Sequence, residues 1–319
     1  MPRWLLLLTI PLLAQDPGYT YYLSGSAADA RTTMRPGFLL AGGGKDSVEA
    51  FRWLIEHSGG GDLVILRASG TDAYHSFAAE LGPLDSAETI VFRSAAAAQD
   101  PFVLERIRQA DAIFLAGGDQ WNYYRYWTGT PLAREVNAAI ARGVPIGGTS
   151  AGLAVLGQYG FTARHDSVTS ATALANPFDK KIAIAADLFR IPALACTITD
   201  SHFAQRDRLG RLLVFLARIQ GEAQCPVVQG IGIDERTVVL LEPDGTTRVI
   251  GEGAAYFLKL TARADLPRLP DVDAARVAAG GVFHLREWRS QNSVGYRLAV
   301  EAGRVVNRTH PGAGTYNQP

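Results

Sequence analysis

Along the first half of the chain, short apolar runs alternate with stretches whose apolar residues recur at helical spacing. Residues 38–41 form such a run, stopped by Gly42-Gly43-Gly44, and further runs lie at 63–66, 89–92, 112–116 and 144–147. Between them the spacing predicts helices: Val48, Phe51, Trp53, Leu54 and Ile55 share one pattern, and others cover 74–81, 102–107 and 132–141. Pro101 suits a first helical turn and Gly143 a helix stop. Residues 151–156 open one more helix. Runs this short, apolar throughout, fit strands covered on both faces. The predicted class is therefore α/β: a doubly wound, mainly parallel sheet with helices on both faces. Ligands of such sheets bind beyond the carboxyl ends of the strands.

After about residue 160 the pattern changes. Residues 193–198 and 227–233 read as strands, and 203–219 as an amphipathic helix. Residues 237–241 and 247–250, joined by Pro243-Asp244-Gly245, read as a hairpin. With 255–260 and 296–306 they make a β-rich C-terminal part, expected to extend the same sheet. No linker or internal repeat divides the chain.

Composition narrows the classes. Hydrophobic residues make up 47% and charged residues 19%, which excludes a disordered chain. Lys+Arg and Asp+Glu are 31 each, so no basic excess points to nucleic acid. The two cysteines, Cys196 and Cys225, have no metal-finger spacing; they either pair in an oxidising compartment or sit as buried thiols. Arg3, the apolar residues 4–13 and Ala14 read as a signal peptide over residues 1–14, so export is expected. The run is shorter than the ~20 residues that span a bilayer, so no membrane association is expected after cleavage. Asn307-Arg308-Thr309 is a glycosylation sequon, and the tail from His310 reads as a loose end.

The candidate chemistry lies at the glycine stops. Gly42-Gly43-Gly44-Lys45-Asp46-Ser47 has neither the dinucleotide-binding nor the Walker spacing, so no nucleotide is expected. Gly148-Thr149-Ser150-Ala151-Gly152 fits G-x-S-x-G between a predicted strand and a predicted helix, the setting of a nucleophile elbow. Ser150 would be the nucleophile, and the Ala151 N–H would face a developing oxyanion. His202, just beyond a strand end, is the candidate base. Asp200 and the pair Asp234-Glu235 compete as the acid that orients it. Arg206, Arg208 and Arg211 nearby suit an anionic ligand. No H-E-x-x-H pattern or His/Cys cluster occurs, so neither metal nor cofactor is expected.

Five segments resemble, in order, the cyanophycinase branch of the S51 serine peptidases, relatives of aspartyl dipeptidase with a class I glutamine amidotransferase-like fold. They are Ala41-Gly42-Gly43-Gly44-Lys45-Asp46, residues 114–120, Gly147 to Gly152, residues 200–211, and Gly230-Ile231-Gly232-Ile233-Asp234-Glu235. The resemblance implies Ser150, His202 and Glu235 as catalytic residues. It implies an oxyanion hole from Ala151 and the Gly118 loop. It implies a substrate pocket lined by Gln120, Asp200 and Arg206, with Asp200 positioning Arg206 or substrate. The segments span roughly residues 38 to 260; the chain is read as a catalytic domain over residues 20–265, with 266–319 as a C-terminal extension outside the resemblance, expected to pack on the same domain. Ser201 departs from the family, which usually has Gln there to reach the substrate's aspartyl group. The implied activity is hydrolysis of cyanophycin to β-aspartyl-arginine dipeptides, with a homodimer as one possible assembly. The rivals are a dipeptidase or other exopeptidase for aspartyl peptides and a non-catalytic binding protein. A glutamine amidotransferase would need Cys in place of Ser150.

Overall fold

The structure is a computed structural model that describes residues 16–223, 225–291, 293, 295–311 and 314–316. The leader expected over residues 1–14 lies outside them.

The described strands form two sheets. The first has at its centre five parallel strands in the order Ser86–Phe92, Asp62–Arg67, Ala112–Leu115, Ile146–Thr149, Phe38–Ala41. Helix Val48–His57 packs Phe51 and Leu54 onto one face, against Leu39, Ile65 and Phe114. Helices Pro101–Gln109 and Pro131–Arg142 cover the other face through Val103, Ile107, Val136 and Ile140. The α/β class read from the sequence is what these layers show. Local signals hold too: the Thr130 side chain caps the second of these helices and Gly143, at φ +89°, ends it.

The C-terminal part is β-rich, but only some of its strands extend that sheet. Thr237–Leu241 pairs antiparallel with Phe38–Ala41, and Thr246–Gly251 follows it. Thr197–Asp200 and Val228–Ile233 instead lie side by side, parallel, in a second, eight-stranded sheet. Ala254–Leu260, Leu269–Ala278 and Tyr296–Glu301 continue that sheet antiparallel. The expectation of one augmented sheet is corrected here. A period-2 apolar pattern identifies a strand but not its partner. The two sheets share a core, in which Ile231, Ile233 and Phe257 meet Leu40, Leu115 and Val239. Helix Leu209–Glu222 covers the outer face of the second sheet. It begins six residues later than its pattern suggested, because residues 201–208 form an irregular turn in which His202 and Asp207 both have φ +47°.

Cys196 and Cys225 form a disulfide. The sequon residue Asn307 is only 6% exposed. Its Oδ1 accepts from the Thr309 and His310 N–H groups, so its side chain caps a turn. The tail is not loose throughout: Tyr316 is half-buried against Phe203 and Tyr256.

Candidate active site

Ser150 sits between the strand Ile146–Thr149 and a short helix, Ala151–Ala154, with φ +53° and ψ −110°. A non-glycine residue there is strained, at a cost of order 1–3 kcal/mol unless its surroundings enforce it. They do so here. The Ser150 N–H donates to the Ala41 carbonyl at 3.1 Å. The flanking glycines allow backbone to pass at close range: a Cβ at Gly148 would lie 2.6 Å from Gly152, and one at Gly152 would lie 2.0 Å from the Leu115 carbonyl oxygen. The G-x-S-x-G pattern is thus a steric requirement of the turn.

His202 and Glu235 come from the second sheet, each just past the carboxyl end of one of its two central parallel strands. Their seat is the glycine loop of the first sheet. The His202 N–H donates to the Gly42 carbonyl at 2.8 Å, and the Arg236 N–H donates to the Gly43 carbonyl at 2.8 Å. The imidazole lies directly over Gly43, where an added Cβ would be 2.5 Å from Cε1. The glycine run therefore makes room for a side chain rather than a phosphate. A further tie is the Thr199 hydroxyl, which donates to the Leu153 carbonyl at 2.7 Å and joins the second sheet to the elbow helix.

These contacts produce a continuous hydrogen-bonded line. Ser150 Oγ is 2.7 Å from His202 Nε2, and His202 Nδ1 is 2.6 Å from Glu235 Oε1. The carboxylate accepts the Nδ1 proton, which leaves Nε2 bare to accept from the serine hydroxyl. Burial holds the His202 pKa below the ordinary histidine value; the hydrogen bond to Glu235 opposes this, and the charges of Arg206 and Arg208 add to it. Glu235 is also lowered, chiefly by its hydrogen bond from His202. The two shifts are not mirror images, since the ion pair alone would raise the imidazole and burial outweighs it. The resting imidazole is neutral at pH 7, as a base must be.

Ala151 begins the helix behind Ser150. Its N–H belongs to the first turn, which has no intrahelical acceptor. The Gly117-Gly118 loop faces the same point: a Cβ at Gly117 would be 3.5 Å from Ser150 Cβ, and Gly118 has φ +148°. Gln120 opens the next helix, and its Nε2 donates to the Phe161 carbonyl at 2.9 Å.

The arginine cluster divides. Arg211 is 2% exposed, grips Asp200 with Nε at 2.8 Å and a second nitrogen at 2.6 Å, and lies over the Phe161 and Phe215 rings. Arg208 reaches Asp200 at 3.1 Å and the Ser201 carbonyl at 2.9 Å. Asp200 is thus the buried partner of Arg211 and Arg208, and its expected role in positioning Arg206 is corrected. Two guanidiniums already balance its charge, which burial alone would disfavour. Ser201 is buried with it, its hydroxyl accepting from Arg208 at 3.3 Å. Arg206 is exposed on the turn beside His202.

Two further acids lie near the site: Asp234, which the sequence offered together with Glu235 as the orienting acid, and Asp46, which closes the glycine segment. Asp234 accepts from the Ala204 N–H at 2.9 Å and the Ala254 N–H at 3.1 Å, and so pins the His202 turn to the strand after Glu235. Asp46 lies near Tyr74 and Thr149, the neighbour of Ser150, and burial raises its pKa. It lines a cavity of about 360 Å³ with Lys45, Arg67 and Tyr74. A cavity of about 860 Å³ lies elsewhere, among Asp273, Phe283, Trp288 and Tyr296, and shares no residue with the hydrogen-bonded line.

Comparison with known proteins gives the family. The sequence pattern of peptidase family S51 matches residues 69–248. A cyanophycinase of Geminocystis herdmanii is 30% identical over 70% of this chain and 81% of its own length. One from Synechococcus elongatus is 31% identical over 70% of this chain and 68% of its own. The crystal structure of a peptidase from an acI-B1 actinobacterium superposes with a TM-score of 0.54 at 17% identity, covering 79% of this chain and 97% of that one, and so shares the fold. A match over more than half the chain, relatives at this identity and a serine hydrogen-bonded to a histidine at the elbow lead to one conclusion: the chain belongs to peptidase family S51 and is a serine peptidase.

Proposed function

We propose that the protein hydrolyses cyanophycin, multi-L-arginyl-poly-L-aspartate, to β-aspartyl-arginine dipeptides through an acyl-enzyme on Ser150. The observation that carries the reading is the 2.7 Å and 2.6 Å line from Ser150 through His202 to Glu235. His202 Nε2 takes the hydroxyl proton as Ser150 Oγ bonds to the scissile carbonyl carbon, and Glu235 stabilises the imidazolium that forms. The N–H groups of Ala151 and Gly118 receive the oxyanion; one such donor typically contributes about 3 kcal/mol. His202 then returns the proton to the leaving amine, and water, deprotonated by the same imidazole, releases the acid.

Substrate choice rests on the cyanophycinase relatives and on charge. Arg206, exposed beside His202, is placed for a substrate carboxylate. Asp46 and the Tyr74 ring line a nearby cavity, where the guanidinium of Arg67 lies 5.7 Å from the ring centroid; a substrate guanidinium would have to displace it. Export is part of the proposal; the leader pattern and the Cys196–Cys225 disulfide support it.

The test is incubation of the purified protein with cyanophycin, with soluble dipeptide followed by mass spectrometry. Wild type should release dipeptide, and Ser150→Ala should lose roughly a millionfold in kcat while keeping its thermal midpoint. Cleavage of small aspartyl dipeptides without release from cyanophycin would replace this reading with an exopeptidase.

A further inference from the structure

Tyr316 lies beyond the residues that match the family, yet it touches the turn that carries the base. Its hydroxyl accepts from the Leu209 N–H at 2.9 Å and donates to Asp207 Oδ1 at 2.8 Å. Leu209 opens helix Leu209–Glu222, and the preceding residue, Arg208, gives that helix no side-chain cap. A first-turn N–H needs an acceptor from outside the helix, and Tyr316 supplies one from about a hundred residues away. Burial pushes the Tyr316 pKa up, so the hydroxyl keeps its proton and goes on donating to Asp207.

The Tyr316 ring packs edge-on to Phe203 and Tyr256, with centroids 6.0 Å and 5.7 Å away. Phe203 is fully buried and follows His202 directly. On its other side lies Gly232, where an added Cβ would sit 2.4 Å from the Phe203 ring. The left-handed His202 backbone therefore stays in place because its neighbour is held in a socket. Gly232 and Tyr256 form two walls of that socket, and Tyr316 forms the third. The same tyrosine fixes residues 207 and 209, on either side of Arg208 and one residue past Arg206.

We infer that Tyr316 is a positioning residue for the His202–Arg206 turn, a clamp from the C-terminal extension. The inference rests on the reading of Ser150, His202 and Glu235 as the catalytic line. The charged groups facing the imidazole are Glu235, Arg206 and Arg208. Loosening the turn hydrates His202 and lets the two arginines move away, and both changes return its pKa toward the ordinary histidine value.

The test compares wild type, Tyr316→Ala and Tyr316→Phe by the rate of Ser150 labelling with a fluorophosphonate across pH, and by kcat and KM on cyanophycin. Tyr316→Ala should slow labelling roughly tenfold or more, raise KM, and move the acid limb of the labelling profile to higher pH. Tyr316→Phe keeps the ring contacts and should fall between the two. A folded Tyr316→Ala protein with the wild-type labelling rate and acid limb overturns the inference, whatever its thermal midpoint. If Tyr316→Ala does not fold, Tyr316→Phe decides: a wild-type profile overturns the clamp and an intermediate one supports it. Wild-type protein that is never labelled would overturn the catalytic reading itself, a result distinct from labelling that ignores Tyr316.

Discussion

Ser150 is delivered to the site by five consecutive residues, whereas His202 and Glu235 are delivered by contacts that cross the whole fold. The elbow is mainly a local device: Gly148 and Gly152 let the chain cross itself, Ser150 takes the strained conformation between them, and the Ala41 and Leu115 carbonyls of the adjoining strands bear on it from outside. The imidazole side has no such motif. His202 depends on the Gly42 carbonyl, on the bare face of Gly43 and on the Phe203 socket, and Glu235 depends on Gln205, which accepts its N–H at 2.9 Å. One region is set by short-range sterics and the other by the junction of two sheets. The second should therefore be the easier to disturb without touching a reacting atom.

The largest effect that separates the two regions is expected from Glu235→Gln. The amide can donate to Nδ1 and so favours the tautomer with its proton on Nε2, which cannot accept from Ser150. The expected loss in kcat is about 10⁴-fold, with KM and the thermal midpoint near wild type. A loss below tenfold would mean that Glu235 does not set the tautomer, and Asp200 would return as a candidate. The buried double salt link of Asp200 to Arg211 and Arg208 argues against that outcome.

Gly43→Ala perturbs the junction alone. Its Cβ would lie 2.5 Å from His202 Cε1, at a backbone φ of +96° that suits glycine. The imidazole must move, and a displacement near 1 Å costs on the order of 10²-fold in rate. Stability should fall by about 1–3 kcal/mol, the scale of such backbone strain, as measured by urea unfolding. If the rate holds while stability falls, the glycine loop is a folding element only, and the comparison drawn above fails on its long-range side.

The same contrast explains what the sequence made legible. The α/β class, the elbow and the candidate base could be read from apolar period, glycine stops and G-x-S-x-G, because each is a property of neighbouring residues. The residues alone left Asp200 and the pair Asp234-Glu235 open. The choice depends on Arg211, which lies eleven positions after Asp200 on a helix and turns inward to neutralise it. Its surroundings, the Phe161 and Phe215 rings and the Val168 carbonyl, come from three separate segments. Sheet membership was hidden for a related reason. Thr197–Asp200 and Val228–Ile233 read as strands, but nothing in either pattern names a partner or says that the two lie parallel in a second sheet. Tyr316 stood in a Gly/Pro/Asn-rich tail, and its contacts are with residues more than fifty positions away.

The smallest expected effect is the most discriminating for the electrostatics of the junction. Arg206 is exposed and lies close enough to His202 to oppose its protonation, while Arg211 is spent on Asp200. A base works only in its neutral form, so kcat/KM should decline as pH falls through the His202 pKa. That pKa is held below the ordinary value of about 6.5. The acid limb of the wild-type profile should accordingly lie below pH 6.5. Arg206→Ala removes one of the charges that hold the pKa down, so the limb should move to higher pH. The direction follows from the sign of the charge, and the shift should shrink as salt is added, because Arg206 is solvated. On a substrate with a free carboxylate the same variant should raise KM by about tenfold, the loss of one charge-assisted hydrogen bond. Its stability should match wild type, since the guanidinium is solvent-exposed. A shift of the limb to lower pH would contradict the proposed geometry, because removing a nearby cation cannot make the imidazole harder to protonate.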